Sequence, residues 1–326
     1  MSKKITITFI VTLVLVSVLL FGVVQAATSI RQIGILWPDS PPSPRIEEFK
    51  QGLRDLGYVE GKNVIIHYKY ANGARDKLPV LAAELVALNV DVIVALTTIA
   101  AEHAKKATKT IPIIIVSGDP VGTGMVASLA RPGGNITGLA SFAPELVGKR
   151  LELLKEIVPG LSRVAVLWDA EGPAKILEMK AAEAAGRTMG IRIQSLPVRD
   201  PKPDIEGAFK AAAINHAEAV ITLGNPLTLT SLEQIVDLTR RYQLPSIFDS
   251  KQFVESGGLI SYGPDFTALY KRAAIYVDRI LKGAKPAELP VELPTRFDLI
   301  INLKTAKKLG VTIPPYIQAQ ATRVIN

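Results

Sequence analysis

The sequence predicts an α/β protein made of two lobes with one plan, each a parallel sheet covered by helices. Three observations predict it. Short apolar, β-branched runs alternate with amphipathic stretches; four segments of the first half recur in order in the second; and the strand-like runs end in short polar residues. Alternation of this kind indicates βαβ units with sheets buried on both faces.

The chain opens on the positive stretch Met1-Ser-Lys-Lys4, followed by Ile5 to Val24, which carries no charge. Val24-Gln25-Ala26 then offers the small-residue exit of a secretory signal, with cleavage expected after about Ala26. The alternative is an uncleaved anchor, since about 20 apolar residues also span a bilayer. The chain has 0 cysteines, which excludes both a lipid-anchored cysteine and a disulfide framework. Its stability must therefore come from its core, and 48% hydrophobic residues can supply one.

Strands are expected at Gln32–Trp37, Asn63–Tyr70, Val90–Leu96, Ile111–Val116 and Asn135–Leu139. The series continues at Arg163–Trp168, Ile191–Val198, Ala219–Leu223, Ser246–Phe248 and Gly258–Tyr262. Between them, Arg45–Leu56, Leu78–Leu88, Ile99–Thr108, Glu145–Ile157 and Leu232–Tyr242 read as helices.

The repetition is specific. Ile33-Gly-Ile-Leu-Trp37 is echoed by Val164-Ala-Val-Leu-Trp168, and Asp91–Thr97 by Glu218–Gly224. Ile111-Pro-Ile113 is echoed by Leu244-Pro-Ser246, and Pro132–Gly138 by Ser256–Tyr262. The period is too long for a solenoid, so two similar lobes are the simpler account.

Two such lobes enclose a cleft. In open parallel sheets, ligands sit beyond the carboxyl ends of the strands. Those ends carry Pro38-Asp39-Ser40, Thr97-Thr98 and Ser117-Gly118-Asp119 in the first half, and Asp169, Gly224-Asn225-Pro226 and Asp249-Ser250 in the second. A helix start at Thr97 and Thr98 suits a carboxylate, or Thr98 simply caps its own helix. Asp119 and Asp249 can receive an ammonium, or form Asx turns. Asn225 offers a donor and an acceptor, though Asn-Pro is also a turn pair. Together the set describes a clamp for a zwitterion, its carboxylate on the first lobe's helix start and its ammonium on an aspartate.

Other function classes lack their signals. Gly122, Gly124 and Ala127 spell G-x-G-x-x-A, but after the fourth strand and without the acid that ends the next strand of a dinucleotide site. No Lys-[Ser/Thr] follows, as a phosphate loop needs. His67, His103 and His216 are scattered and form no metal motif, and no G-x-S-x-G elbow is present. No cofactor is expected. The net charge of +8 is dispersed, as on a solvated face, with no stripe for nucleic acid.

Long segments resemble a known family. Ser117–Gly138 (SGDPVGTGMVASLARPGGNITG), Gly148–Lys155 (GKRLELLK) and Phe253–Asp265 (FVESGGLISYGPD) resemble the ABC-transporter substrate-binding proteins of the TrpX-like, tryptophan/tyrosine type. So do Tyr276–Pro286 and Ile301–Gly310. The resemblance implies a type 1 periplasmic binding protein: two Rossmann-like parallel-sheet lobes joined by a three-strand hinge. It implies lobes of residues 27–141 with 263–295, and 142–262 with 296–326, after a signal peptide at 1–26. Asn135–Ser141 would lead into the first crossing, Gly257–Gly263 would be the second, and the stretch around Pro294–Ile301 the third.

By the same resemblance the ligand site includes Ser40, Thr97, Thr98, Ser117, Asp119, Asn225, Asp249 and Ser250, with Ser117–Gly124 as a binding loop on the first lobe's rim and Trp37 or Tyr262 stacking a ring. The implied protein is a periplasmic monomer, not an enzyme. It captures a small polar molecule, an amino acid being the lead, for an ABC permease with its cytoplasmic ATPase. The alternative is a sensor that presents its ligand to a membrane receptor, with an unchanged fold. The proline-rich first loop, Trp37-Pro-Asp-Ser-Pro-Pro-Ser-Pro44, departs from the family pattern.

Overall fold

The computed structural model describes residues 30–141, 143–199 and 203–326. The expected export signal at 1–26 lies outside the described residues, among which no helix is long and apolar enough to cross a membrane.

The first sheet contains β1 (Arg31–Trp37), β2 (Val64–Tyr70), β3 (Val92–Ala95), β4 (Ile113–Ser117) and β5 (Ile136–Ala140), in the order β2-β1-β3-β4-β5. All its pairings are parallel. β3 and β4 are buried at every position because helices cover both faces, which is why they read as unbroken apolar runs. β2, at the edge, is mostly half-exposed and carries His67 and Lys69. Helices α1 (Pro44–Asp55), α2 (Leu78–Ala87) and α3 (Thr98–Ala107) connect these strands.

The second sheet repeats the plan. It contains β6 (Arg163–Asp169), β7 (Arg192–Val198), β8 (Ala219–Thr222), β9 (Ser246–Phe248) and β10 (Ile260–Pro264), ordered β7-β6-β8-β9-β10. Two further strands, β11 (Phe297–Asn302) and β12 (Arg323–Ile325), extend it beyond β10. The connecting helices are α4 (Ala143–Ile157), α5 (Pro173–Met189), α6 (Ile205–Ile214), α7 (Pro226–Thr230), α8 (Leu232–Arg241) and α9 (Lys251–Glu255).

The four repeated segments fall on equivalent strands: β1 and β6, β3 and β8, β4 and β9, β5 and β10. Even their first contacts agree. Asp91 accepts from the Gln32 backbone N–H at 2.7 Å, and Glu218 accepts from the Arg163 N–H at 3.1 Å and the Ser162 N–H at 2.7 Å. In each half, an acid before the third strand ties down the start of the first.

The chain passes between the sheets three times. After β5 it enters α4, which lies on the second sheet; after β10 it enters α10 (Phe266–Leu281), which packs on α1 and on the first sheet. The return segment pairs Leu139 with Glu292, and the Thr137 hydroxyl donates to the Leu289 carbonyl at 2.7 Å. It then becomes β11, antiparallel to β10. Pairing in that sense lets the two strands run side by side while connecting in opposite directions. Apolar clusters fill both faces of both sheets.

β11 and β12 were not among the strands expected from alternation. Short runs at the end of a chain carry little periodicity, and β11 is held by pairing on both sides, antiparallel to β10 and parallel to β12.

Gly138, in β5, holds φ at +142°, and a Cβ there would sit 2.2 Å from the Ile115 carbonyl oxygen of the paired strand. Gly138→Ala is therefore expected to cost at least about 1 kcal/mol. Thermal unfolding checks this; a variant melting with the parent would show that the strand gives way freely.

Candidate functional site

The carboxyl ends of the two sets of strands meet across a cavity with about 580 Å³ of space between its atoms, open solvent at its mouth included. From the first sheet come Thr97, Thr98 and Ser117. Thr97 is extended (φ −146°, ψ 152°) and caps α3, its hydroxyl accepting from the Ala100 N–H at 3.3 Å. Its neighbour Thr98 shares a 3.0 Å hydroxyl–hydroxyl bond with Ser117, the last residue of β4. The helix start thus presents N–H groups and hydroxyls to one place.

From the second sheet come Asn225 and Asp249. Asn225 caps α7 in a reciprocal box with Thr228, and its amide donates to Asp169 Oδ2 at 2.5 Å. Asp249 follows β9 and is only 6% exposed, with its Oδ1 buried and without a hydrogen-bond partner. Its carboxylate rests on Gly224: a Cβ there would fall 2.0 Å from each carboxylate oxygen. Only glycine leaves room for the acid in this position.

Helices contribute the remaining charges. Arg150, on α4, is 2% exposed, and its Nε donates to the Tyr262 carbonyl at 2.8 Å while one terminal nitrogen is buried without a partner. Burial pulls its pKa down, opposed by the charges of Asp249 and Glu178. Glu178, on α5 and also buried, accepts from Lys175. Burial pushes the Glu178 carboxyl above its ordinary range despite Lys175 and Arg150 beside it. Across the cavity, the Arg45 guanidinium lies over the rings of Tyr270 and Phe266, at 5.5 and 5.8 Å from their centroids.

Of the residues singled out in the sequence, Thr97, Thr98, Ser117, Asn225 and Asp249 line this cavity together. The others lie apart from it. Trp37 is buried in the first sheet's core and, with Ser40, borders a separate pocket that shares Arg45 and Pro226 with the cavity. Asp119 turns back to accept from the Gly122 N–H at 2.7 Å, within its own loop. Ser250 precedes α9, is buried, and borders two neighbouring pockets that share Phe266 with the cavity. The Tyr262 ring stacks on Phe297, while its carbonyl serves Arg150.

Arg45, Arg150, Lys175, Glu178, Phe266 and Tyr270 were missed because only strand ends were searched. The sequence did hold a signal for Arg150: Leu146, Val147, Leu153 and Leu154 surround it at helical spacing and are all buried. A lone charge on an apolar stripe has to find a polar partner. Glu178, between buried Ala174 and Ala182, carries the same signal.

A two-lobed α/β protein with a buried, mixed-charge cleft between strand ends has the architecture of a protein that takes a small ligand between its lobes. The chain belongs to the ABC transporter substrate binding protein family, whose model matches residues 43–325. That is a family of solute-binding proteins, not of enzymes.

The chain is similar to a "Tyrosine-binding protein" of Clostridioides difficile (strain R20291), 25% identical over 273 residues, covering 82% of this chain and 78% of the relative. A conserved domain protein of Vibrio cholerae is 29% identical with a TM-score of 0.84, covering 91% of this chain and 100% of its own. A Streptococcus pneumoniae ABC domain solved in complex with L-Trp is 26% identical with a TM-score of 0.82, at the same coverages. The type 1 periplasmic binding protein fold extends to a Thermotoga maritima leucine binding protein that is 14% identical, a likeness of fold alone.

Glu178 makes the cleft's charge state visible in stability. Its folded pKa is raised above the ordinary 4.5, so its contribution is full below that value and lost as pH rises through the folded one. The melting difference of Glu178→Gln relative to the parent should accordingly shift in the variant's favour between pH 4.5 and pH 8. A difference that stays constant across this range would show that burial does not govern the group.

Proposed function

We propose that this chain is the exported solute-binding component of an ABC importer, and that its cleft takes a small zwitterion, an aromatic amino acid. The observation that carries this reading is a pair of buried, partnerless atoms of opposite character: a terminal nitrogen of Arg150 and Oδ1 of Asp249, both on residues that line one cavity. Buried polar groups without partners cost free energy. A solute with a carboxylate for the first and an ammonium for the second relieves both. The carboxylate is shared with the hydroxyls of Thr98 and Ser117 across the cleft, a shift from an anion site made by the helix start alone. Tyr270 and Phe266 offer aromatic faces for a ring.

The tyrosine-binding relative and the relative solved with L-Trp support the aromatic class. In this reading the protein is secreted after cleavage near Ala26 and works as a periplasmic monomer. Ligand shifts the population from open to closed lobes, and the closed form docks on a membrane permease driven by a cytoplasmic ATPase.

Calorimetric titration of the chain from Ala27 onward with the individual L-amino acids tests the ligand class. Binding of L-tryptophan or L-tyrosine is expected, weakened at least about tenfold in Asp249→Asn, which removes the ammonium's counter-charge. Binding confined to solutes without an ammonium group would overturn the zwitterion assignment.

A further inference from the structure

Asp169 stood out in the sequence as a polar strand end, yet the cleft's own lining does not include it. It closes β6 and is among the most buried acids of the molecule, its side chain 2% exposed. Its carboxylate collects donors from both lobes. Within its own lobe it accepts from the Asn225 amide at 2.5 Å and from the Glu171 backbone N–H at 3.0 Å. From the other lobe comes Arg75, in the short 3-10 turn after β2, whose two terminal nitrogens reach Oδ2 at 2.7 Å and Oδ1 at 3.2 Å. Arg75 also lies 3.6 Å from Glu171 Oε2, and its side chain is 11% exposed.

We infer that Arg75 and Asp169 form a latch that holds the two lobes closed, and that Asn225 links this latch to the occupant of the cleft. Asp169 is thus a positioning residue, acting through Asn225. The inference rests on the solute-binding reading of the cleft, and the following geometry supports it.

The fork-to-carboxylate arrangement fixes distance and orientation together, so the pair forms in one relative placement of the lobes. The pair is also built to open without leaving a stranded charge. On separation, Asp169 keeps its two donors from its own lobe, the Asn225 amide and the Glu171 N–H. A buried ion pair adds little net stability, because desolvation offsets attraction. A pair that exists in one of two states nonetheless biases the choice between them.

The link to the ligand is direct. Asn225 lines the binding cavity, and its amide is spent on Asp169 while its side-chain oxygen caps α7. A solute resting against Asn225 confines that amide, and the confined amide holds the carboxylate at the angle that Arg75 meets. Thr97 and Thr98 border both the cavity and the pocket around the latch.

The chain has 0 cysteines, so spin labels on Lys106→Cys and Lys180→Cys, at exposed positions on α3 and α5, report the distance between lobes without background. Distances are recorded without added solute and with L-tryptophan, in the parent, in Arg75→Ala and in Asp169→Asn. A short-separation population is expected in the parent, reduced about tenfold or more in either single variant. Dissociation of L-tryptophan should quicken by a similar factor, with the melting midpoint of Arg75→Ala in the absence of solute held near that of the parent, since Asp169 keeps its own-lobe donors there.

Single variants that keep the parent's short-separation population, or a parent with none in either condition, would overturn the latch. Failure of the parent to bind L-tryptophan or any other amino acid would overturn the ligand class instead, leaving the distances without solute as the test of the latch.

Discussion

Parallel pairing imposes one demand from which most of this molecule follows: every strand of a parallel sheet delivers its carboxyl end to the same edge. At that edge the chain must leave an apolar layer and start a helix, whose first N–H groups have no partners within it. Short polar residues therefore collect there, as Thr97, Ser117 and Asn225 do. Two sheets of one strand order, set with these edges together, make a polar cavity between apolar bodies. The cavity then needs no separate invention.

What lies in it is less ordinary than its frame. Arg150, Glu178 and Asp249 are all buried, and charges in such surroundings are stable only with compensation. The compensation is incomplete, since Arg150 gives one hydrogen bond to the Tyr262 carbonyl and Asp249 leans on Gly224 with one oxygen unpaired. In the proposed reading a solute's carboxylate and ammonium complete the set, so its binding strength originates in this incomplete compensation.

The frame was legible in the sequence because it depends on local periodicity. The alternation placed ten strands close to where they occur, β10 running on to Pro264 beyond the expected Tyr262. The repeat from Ile33–Trp37 to Val164–Trp168 already implied two sheets of one order. Half of the candidate cleft was legible too, because residues at strand ends are neighbours by rule. The other half was not, because Arg45, Arg150, Glu178 and Tyr270 come from helices, and which helical face meets the cleft depends on how the lobes sit. Asp119 shows the opposite limit: position gave it a ligand role, but its nearest donor is the Gly122 N–H three residues on. Local hydrogen bonding of this kind competes for short acids everywhere.

Tyr262 is half-buried, and it is its backbone that faces Arg150. Its carbonyl belongs to β10, the strand that leaves the second sheet at Pro264 and continues as α10 against the first. Arg150 therefore grips the cleft with one end of its guanidinium and one of the connecting strands with the other. Any tilt of that strand moves the arginine, and any pull on the arginine is felt at the pivot. The cavity and one of the strands that connect the lobes are in this way joined through a single side chain, with no intervening relay.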